Sequence, residues 1–291
     1  MSETLIAIIL GFVEGITEYL PISSTGHLIL FGDLLQFTGE KAKTFDVVIQ
    51  LGAILAVVWL YWPRFMALLQ GLGETAKDPS TVFGPGLKGG AGIFKLGLVT
   101  GPALLIGAVF GSRIKEHLFN TTWVAIALAV GAVLILLVER YGKFAEAIEA
   151  DELTWKKSIV IGCVQCLALW PGMSRSASAI IGGMVVGLSR KAAAEFSFLA
   201  AVPILSAAAL HDLFKAAAVF TADDIKLVVI GLVVSFVTAL LTVKWFIGIV
   251  GRWSLRPFAY YRLVVAALVL ALLYWPALTF VLVASKLLPR Y

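Results

Sequence analysis

The hydrophobic and polar positions of this chain fall into long apolar runs separated by short polar breaks. Six runs, at 45–62, 93–111, 122–138, 192–213, 226–250 and 258–282, are apolar enough and close enough to the roughly 20 residues that a bilayer-spanning helix needs. Two further apolar stretches, 5–35 and 158–188, do not read as simple spans. LPISSTGH interrupts the first and WPGMSRSAS the second, each a cluster of Pro, Gly and hydroxyl residues. That pattern suits a helix that enters the membrane, breaks and returns, with irregular backbone facing a protein-lined cavity. The expected fold is an all-α polytopic membrane protein with six transmembrane helices and two re-entrant helical hairpins.

The two halves read alike, each a hairpin followed by three spans. The whole chain, 1–291, is expected to form one membrane domain: a first repeat (1–138), a polar linker (139–157) and a second repeat (158–291). GFVEG at Gly11 matches GCVQC at Gly162, and Pro21-x-Ser-Ser matches Pro171-x-x-Ser-Arg-Ser. Phe45-Asp46 likewise resembles Glu195-Phe196. Three spans per half, an odd number, invert the second copy relative to the first, so the hairpins enter from opposite faces and meet near the midplane. Of the 23 Lys and Arg, 13 fall on the face bearing Arg64, Arg140 and Lys156, against eight on the face bearing Lys41 and Arg113. The richer face is expected to be cytoplasmic, with both termini outside.

Composition agrees. Hydrophobic residues make up 60% of the chain and charged residues only 14%, with a mean hydropathy of +0.97; soluble domains carry roughly 25% charged residues. The net charge of +5 needs no nucleic-acid partner, because basic loops orient membrane proteins. The first residues lack a basic stretch and a small-residue cleavage site, so no cleaved leader is expected. Cys163 and Cys166 form a CxxC within an apolar helical run, where packing thiols are expected rather than redox or metal chemistry.

Carboxylates, hydroxyls, a His and an Arg are costly at membrane depth and usually mark a working site. Glu14 and Glu18, at i and i+4, share a helix face. Two such charges in low dielectric need a cation beside them. Pairing with Arg175 as a structural network is one reading. A divalent ion held by both carboxylates and a substrate phosphate, as Mg²⁺ commonly is, is the favoured one. Ser23, Ser24, Thr25 and Gly26 open the second helix of the first hairpin. Simple N-capping explains any one hydroxyl, whereas the cluster makes an anion pocket from outward-pointing N–H groups. His27 could act as base for a nucleophilic Ser or protonate a leaving group, although a lone His is more often a satisfied core residue. Ser174, Arg175 and Ser176 supply a guanidinium flanked by hydroxyls at another helix start, a match to phosphate oxygens. Arg262, in the last span, is a weaker candidate for a second anion contact. Gln50 and Glu195 are expected to be structural rather than cavity-lining.

This inventory suits phosphoryl transfer, in which positioning and charge stabilisation dominate, and a site at membrane depth points to a lipid phosphate. A transporter or flippase of a polyprenyl phosphate lipid, built on the same inverted repeat, is the alternative; it does not need the hydroxyl, His and metal together. A purely structural membrane protein leaves the polar cluster unexplained.

EGITEYLPISSTGH (14–27) and PGMSRSAS (171–178) resemble the two hallmark motifs of the bacterial undecaprenyl-diphosphate phosphatases, the bacitracin-resistance family. The resemblance extends through KTFDVVIQLGAILAVV (43–58) and SRKAAAEFSFLAAVP (189–203), essentially along the whole chain. It implies hydrolysis of undecaprenyl diphosphate to the monophosphate carrier of cell-wall assembly, and dependence on Mg²⁺ or Ca²⁺. It also implies a bacterial plasma (inner) membrane location with the pocket open to the periplasmic side, membrane lipids and a polyprenyl diphosphate as partners, and room for a homodimer. Carried onto this chain, Glu14 and Glu18 handle metal and diphosphate, Ser24, Thr25 and His27 sit at the reacting phosphorus, and Ser174, Arg175 and Ser176 clamp it. Ser24 with His27 as its proton partner, or a metal-activated water, would make the attack.

Overall fold

The computed structural model describes residues 1–84, 86–142, 148–216 and 222–275. Among them regular structure is helical, apart from one isolated bridge between Ile148 and Leu188. In order the α-helices are α1 (Glu3–Thr17), α2 (Ser24–Leu35), α3 (Glu40–Leu60), α4 (Trp62–Gln70), α5 (Leu72–Lys77), α6 (Gly89–Leu118), α7 (Thr121–Tyr141), α8 (Trp155–Gln165), α9 (Arg175–Val185), α10 (Arg190–Ala216), α11 (Ala222–Val250) and α12 (Arg256–Tyr274).

Among the described residues six helices are long and apolar enough to cross a membrane, over Glu40–Leu60, Gly89–Ile114, Thr121–Tyr141, Arg190–Leu210, Ile225–Val250 and Arg256–Tyr274. The chain is therefore a multi-pass membrane protein. The first span begins earlier than its apolar run, at Glu40, because Gly39 with φ 93° breaks the chain and Glu40 opens the helix with a carboxylate in its first turn. The last helix stops at Tyr274, ahead of Trp275 and Pro276; the remainder of the expected run, 276–282, lies outside the described residues. The interrupted stretches fold as pairs of short helices, α1 with α2 (15 and 12 residues) and α8 with α9 (11 each). None of the four reaches the roughly 20 residues of a span.

Packing follows small residues. α1 and α3 both lie against α11, and α8 lies against α6. A side chain at Gly11 would strike the Gly231 carbonyl of α11, and one at Gly52 the Leu232 carbonyl, so glycine is what lets these backbones approach. α12 packs on α7, and α10 on α3 and α9. Tyr19, Phe198, Phe246 and Phe258 form an aromatic chain through the core, edge-on at its two ends and tilted between Phe198 and Phe246.

One polar clamp ties three helix ends together. Buried Glu139 near the end of α7 accepts 2.8 and 2.7 Å bonds from Arg190 Nε and Nη2 at the start of α10. Its Oε1 also accepts the Leu255 N–H ahead of α12, at 2.9 Å. Glu139→Ala should cost roughly 2–3 kcal/mol, the range for hydrogen bonds to a buried charge. Arg64→Ala, which breaks the half-exposed pair with Asp151 at 3.1 Å, should cost under about 1 kcal/mol. Thermal unfolding in detergent separates the two.

Candidate active site

Both helix pairs break at a serine. The helical turn at the end of α1 carries Glu18, whose N–H bonds the Glu14 carbonyl at 3.0 Å. Pro21 then ends any continuation. Ser23 caps α2 with φ 74°, and its Oγ accepts the Gly26 N–H at 3.3 Å. In the second break Pro171 and Gly172 (φ 95°) precede Ser174, which caps α9 with φ 76° and whose Oγ accepts the Ala177 N–H at 3.2 Å. Positive φ at a non-glycine residue is strained, and such strain clusters at functional sites. Capping leaves the Ser24 and Thr25 amides of α2, and the Arg175 and Ser176 amides of α9, as first-turn donors without a partner inside the helix.

The two helix starts share one cavity of about 230 Å³. Glu18, Ser23, Ser24, Thr25, Ser174 and Arg175 line it, with Gln50, Gln165 and apolar residues of α6 and α10. Glu18 is its hub. Ser24 Oγ donates a short hydrogen bond to Glu18 Oε2, and Arg175 Nη2 pairs with Glu18 Oε1 at 3.1 Å, both side chains nearly fully buried. Arg175 Nη1 donates to the Ser197 carbonyl and Oγ at 2.9 and 3.1 Å, and the guanidinium lies 5.7 Å from the Tyr19 ring centre. Tyr19 is itself fixed by a 2.9 Å bond from its hydroxyl to the Ala53 carbonyl. The geometry offers a carboxylate base against a hydroxyl, a fixed cation and two helix N-termini, the parts needed to hold a phosphate and move a proton.

Several expected residues sit elsewhere. His27 is not the partner of Ser24. Its Nδ1 lies 2.7 Å from the Ser23 carbonyl, which can only accept, so the proton is on Nδ1 and Nε2 accepts from Tyr261 O–H at 2.7 Å. The imidazole also stacks on the Tyr261 ring. Ser176 turns from the cavity: its Oγ donates 2.7 Å to the Leu20 carbonyl, stitching one loop to the other. Arg262 has no donor left for an anion. Fully buried, it gives Nε to Leu128 O, Nη1 to Pro21 O and Met173 O, and Nη2 to Ala127 O and Gly172 O, all at 3.0–3.1 Å. A side chain at Gly131 would collide with this guanidinium. Gln50 lines the cavity, whereas Glu195 pairs loosely with Lys191 at 4.0 Å. Cys163 and Cys166 are free thiols.

Glu14 is fully buried and neither of its carboxylate oxygens has a hydrogen-bond partner; Asp46 Oδ1 is likewise buried and unpartnered. Glu18, Asp46 and Arg175 are the charges that act on Glu14. Among the described residues no three His, Cys, Asp or Glu side chains group closely enough to enclose a metal alone. Ser197, Gln165 and Tyr261 escaped the sequence reading. Only Gln165, by its register with Glu14 in the GFVEG/GCVQC match, carried any signal.

The fold and the cavity define a polytopic membrane protein with a phosphate-suited polar centre made by two broken helix pairs. The chain belongs to the bacitracin resistance protein BacA family, whose model matches residues 7–268. It is similar to proteins named undecaprenyl-diphosphatase: 53% identical over 276 residues to that of Solidesulfovibrio magneticus, covering 95% of this chain and all of the relative. Identity is 52% over 270 residues to that of Maridesulfovibrio salexigens, covering 93% and 98% of the two chains. It is 53% over 269 residues to that of Nitratidesulfovibrio vulgaris, covering 92% and 98%.

Proposed function

We propose that this chain is a membrane phosphatase that hydrolyses undecaprenyl diphosphate to undecaprenyl phosphate and inorganic phosphate, recycling the lipid carrier of peptidoglycan synthesis. The names of its relatives agree with this reading, and the observation that carries it is the Glu18–Ser24–Arg175 constellation in one cavity. The terminal phosphate seats between the α2 and α9 N-termini, met by their free amides and by Arg175. Ser24 Oγ attacks the terminal phosphorus while Glu18 takes its proton. The bond from that phosphorus to the bridging oxygen breaks, and the lipid monophosphate leaves with the electron pair and takes the proton from Glu18. Water then cleaves the phosphoserine, its proton passing through Glu18 back to Ser24. In the variant route water attacks directly and Ser24 positions it. The hydrogen bond from Ser24 to Glu18 favours Glu18 over His27 as the base; His27, held between Ser23 and Tyr261, fixes the loop.

Glu14 and Glu18 are the proposed ligands for Mg²⁺ or Ca²⁺. The unpartnered buried oxygens of Glu14 and Asp46 fit a hard cation, and carboxylates completed by substrate phosphate are how Mg²⁺ is usually held. When bound, the ion supplies charge neutralisation on the diphosphate oxygens.

The two short helix pairs are read as re-entrant hairpins of an inverted repeat. Ser23 and Ser174 share one strained capping geometry, φ 74° and 76°. The first helix of each pair also packs on the middle span of the opposite half, α1 on α11 and α8 on α6. Such a repeat also serves transporters, but moving a lipid phosphate gives no use to a serine hydroxyl held on a carboxylate. The proposed site lies in the bacterial plasma membrane, open to the periplasmic face. Purified protein given undecaprenyl diphosphate should release phosphate and lipid monophosphate with Mg²⁺ and not with EDTA; binding without release would favour translocation.

A further inference from the structure

Gln165, the last residue of α8, is an anomaly within the cavity wall. The residue is fully buried, yet it lines the same cavity as Glu18 and Ser24. Its amide cannot be turned freely. Nε2 donates 3.0 Å to the Val99 carbonyl of α6, which can only accept, so the other end of the amide must be the oxygen. That Oε1 is buried and has no protein partner. Buried acceptors are normally satisfied, so this one calls for a donor from whatever occupies the cavity beside it. The phosphate oxygens of a fully ionised diphosphate are acceptors and cannot serve. A water molecule can, and the cavity has the volume for several at ~30 Å³ each.

We propose that Gln165 is a further catalytic residue, its side-chain carbonyl accepting one hydrogen of the water that attacks phosphorus. The inference rests on the phosphatase reading above. Water has two hydrogens. One goes to the Glu18 carboxylate as the oxygen closes on phosphorus; the other stays on the new phosphate oxygen and is held by Gln165 Oε1. The bond that breaks runs from phosphorus to the bridging oxygen in direct attack, which leaves the pair on the lipid monophosphate. In the phosphoserine route, where Glu18 has already passed the first proton to the departing lipid monophosphate, it runs to Ser24 Oγ, which recovers from Glu18 the proton that water gave up. Gln165 thus aims the lone pair of the water in either route without changing its own protonation. The arrangement also discriminates. Methanol has a single O–H, which Glu18 takes, so its methyl group would be pressed against the unsatisfied Gln165 carbonyl. The site selects water over a small alcohol.

The experiment uses the full-length protein in detergent with undecaprenyl diphosphate, metal and added methanol, measuring inorganic phosphate and methyl phosphate together. Gln165→Met fills the same space and removes the acceptor, whereas Gln165→Glu keeps an acceptor oxygen and loses the N–H donor to Val99. Gln165→Met should lower kcat for phosphate formation about tenfold or more, the scale of one hydrogen bond made in the transition state, with KM within about twofold. The ratio of methyl phosphate to inorganic phosphate should rise by a similar factor. Gln165→Glu should keep a ratio near wild type even if slower. An unchanged ratio in Gln165→Met overturns the proposal, as does an equal rise in both variants, which would assign the effect to the bond with Val99. No phosphate release by wild type would remove the phosphatase reading and this inference with it; release with an unaltered ratio removes the inference alone.

Discussion

Arg262→Met will unfold or severely loosen this protein, by roughly 4–5 kcal/mol or more, a loss that few single substitutions produce. The guanidinium is fully buried and holds five backbone carbonyls from three places: Pro21 in the first loop, Gly172 and Met173 in the second, and Ala127 and Leu128 in α7. Methionine has comparable length but no donor, so each carbonyl would be left unpaired in a low-dielectric interior, where an unmade hydrogen bond costs most. Arg262→Lys should recover only part of the loss, because an ammonium offers three donors and no planar fork. Thermal unfolding in detergent would read the stability. Phosphate release would fall in parallel, since the same side chain sets the spacing of the two loops. A melting temperature near wild type for Arg262→Met would show that the loops are held by something else.

Arg175→Ala should act differently, cutting kcat/KM by roughly 10²–10³, the scale of removing one preorganised electrostatic group, with a smaller effect on folding. Arg175 reaches Glu18 with one terminal nitrogen and Ser197 with the other. In the proposed reaction it exchanges its hold on Glu18 for the phosphate oxygens, where charge accumulates. Lysine cannot span both partners, so Arg175→Lys should recover little activity. Steady-state kinetics on protein whose melting temperature is unchanged checks the prediction. Full activity in Arg175→Ala would remove the guanidinium from the site.

The contrast between these two arginines shows how far the sequence could be read. Six spans and two broken helix pairs follow from hydropathy and from Pro, Gly and hydroxyl clusters, all local signals. Glu18, Ser24 and Arg175 were legible because a charged or hydroxyl residue within an apolar run is costly and so implies a use. The same reasoning says nothing about which use. Arg262 looked like an anion contact, but its partners lie 89 to 241 residues away in the chain and are backbone carbonyls, which no sequence pattern marks. His27 was paired with Ser24 on proximity along the chain. The helix starting at Ser24 instead carries the imidazole toward Tyr261, a partner 234 residues distant. Ser197 was invisible because a lone serine in a span is commonplace, and Gln165 left only its register with Glu14 in the repeat match, because an amide carries no charge to betray its burial.

The central claim is that both loops form one hydrolytic site with Glu18 at its hub. The most direct test is phosphate release from undecaprenyl diphosphate by purified wild type and Glu18→Gln, each with Mg²⁺ and with EDTA, beside their melting temperatures. Glutamine keeps the size of the side chain and can still accept from Ser24, but it can neither take the proton nor pair with Arg175 as an ion. The account predicts metal-dependent release by wild type and a loss of roughly 10²–10⁴-fold in Glu18→Gln, the range for a missing general base, in protein that remains folded. Release by Glu18→Gln at the wild-type rate, or release by wild type that persists in EDTA, would contradict it.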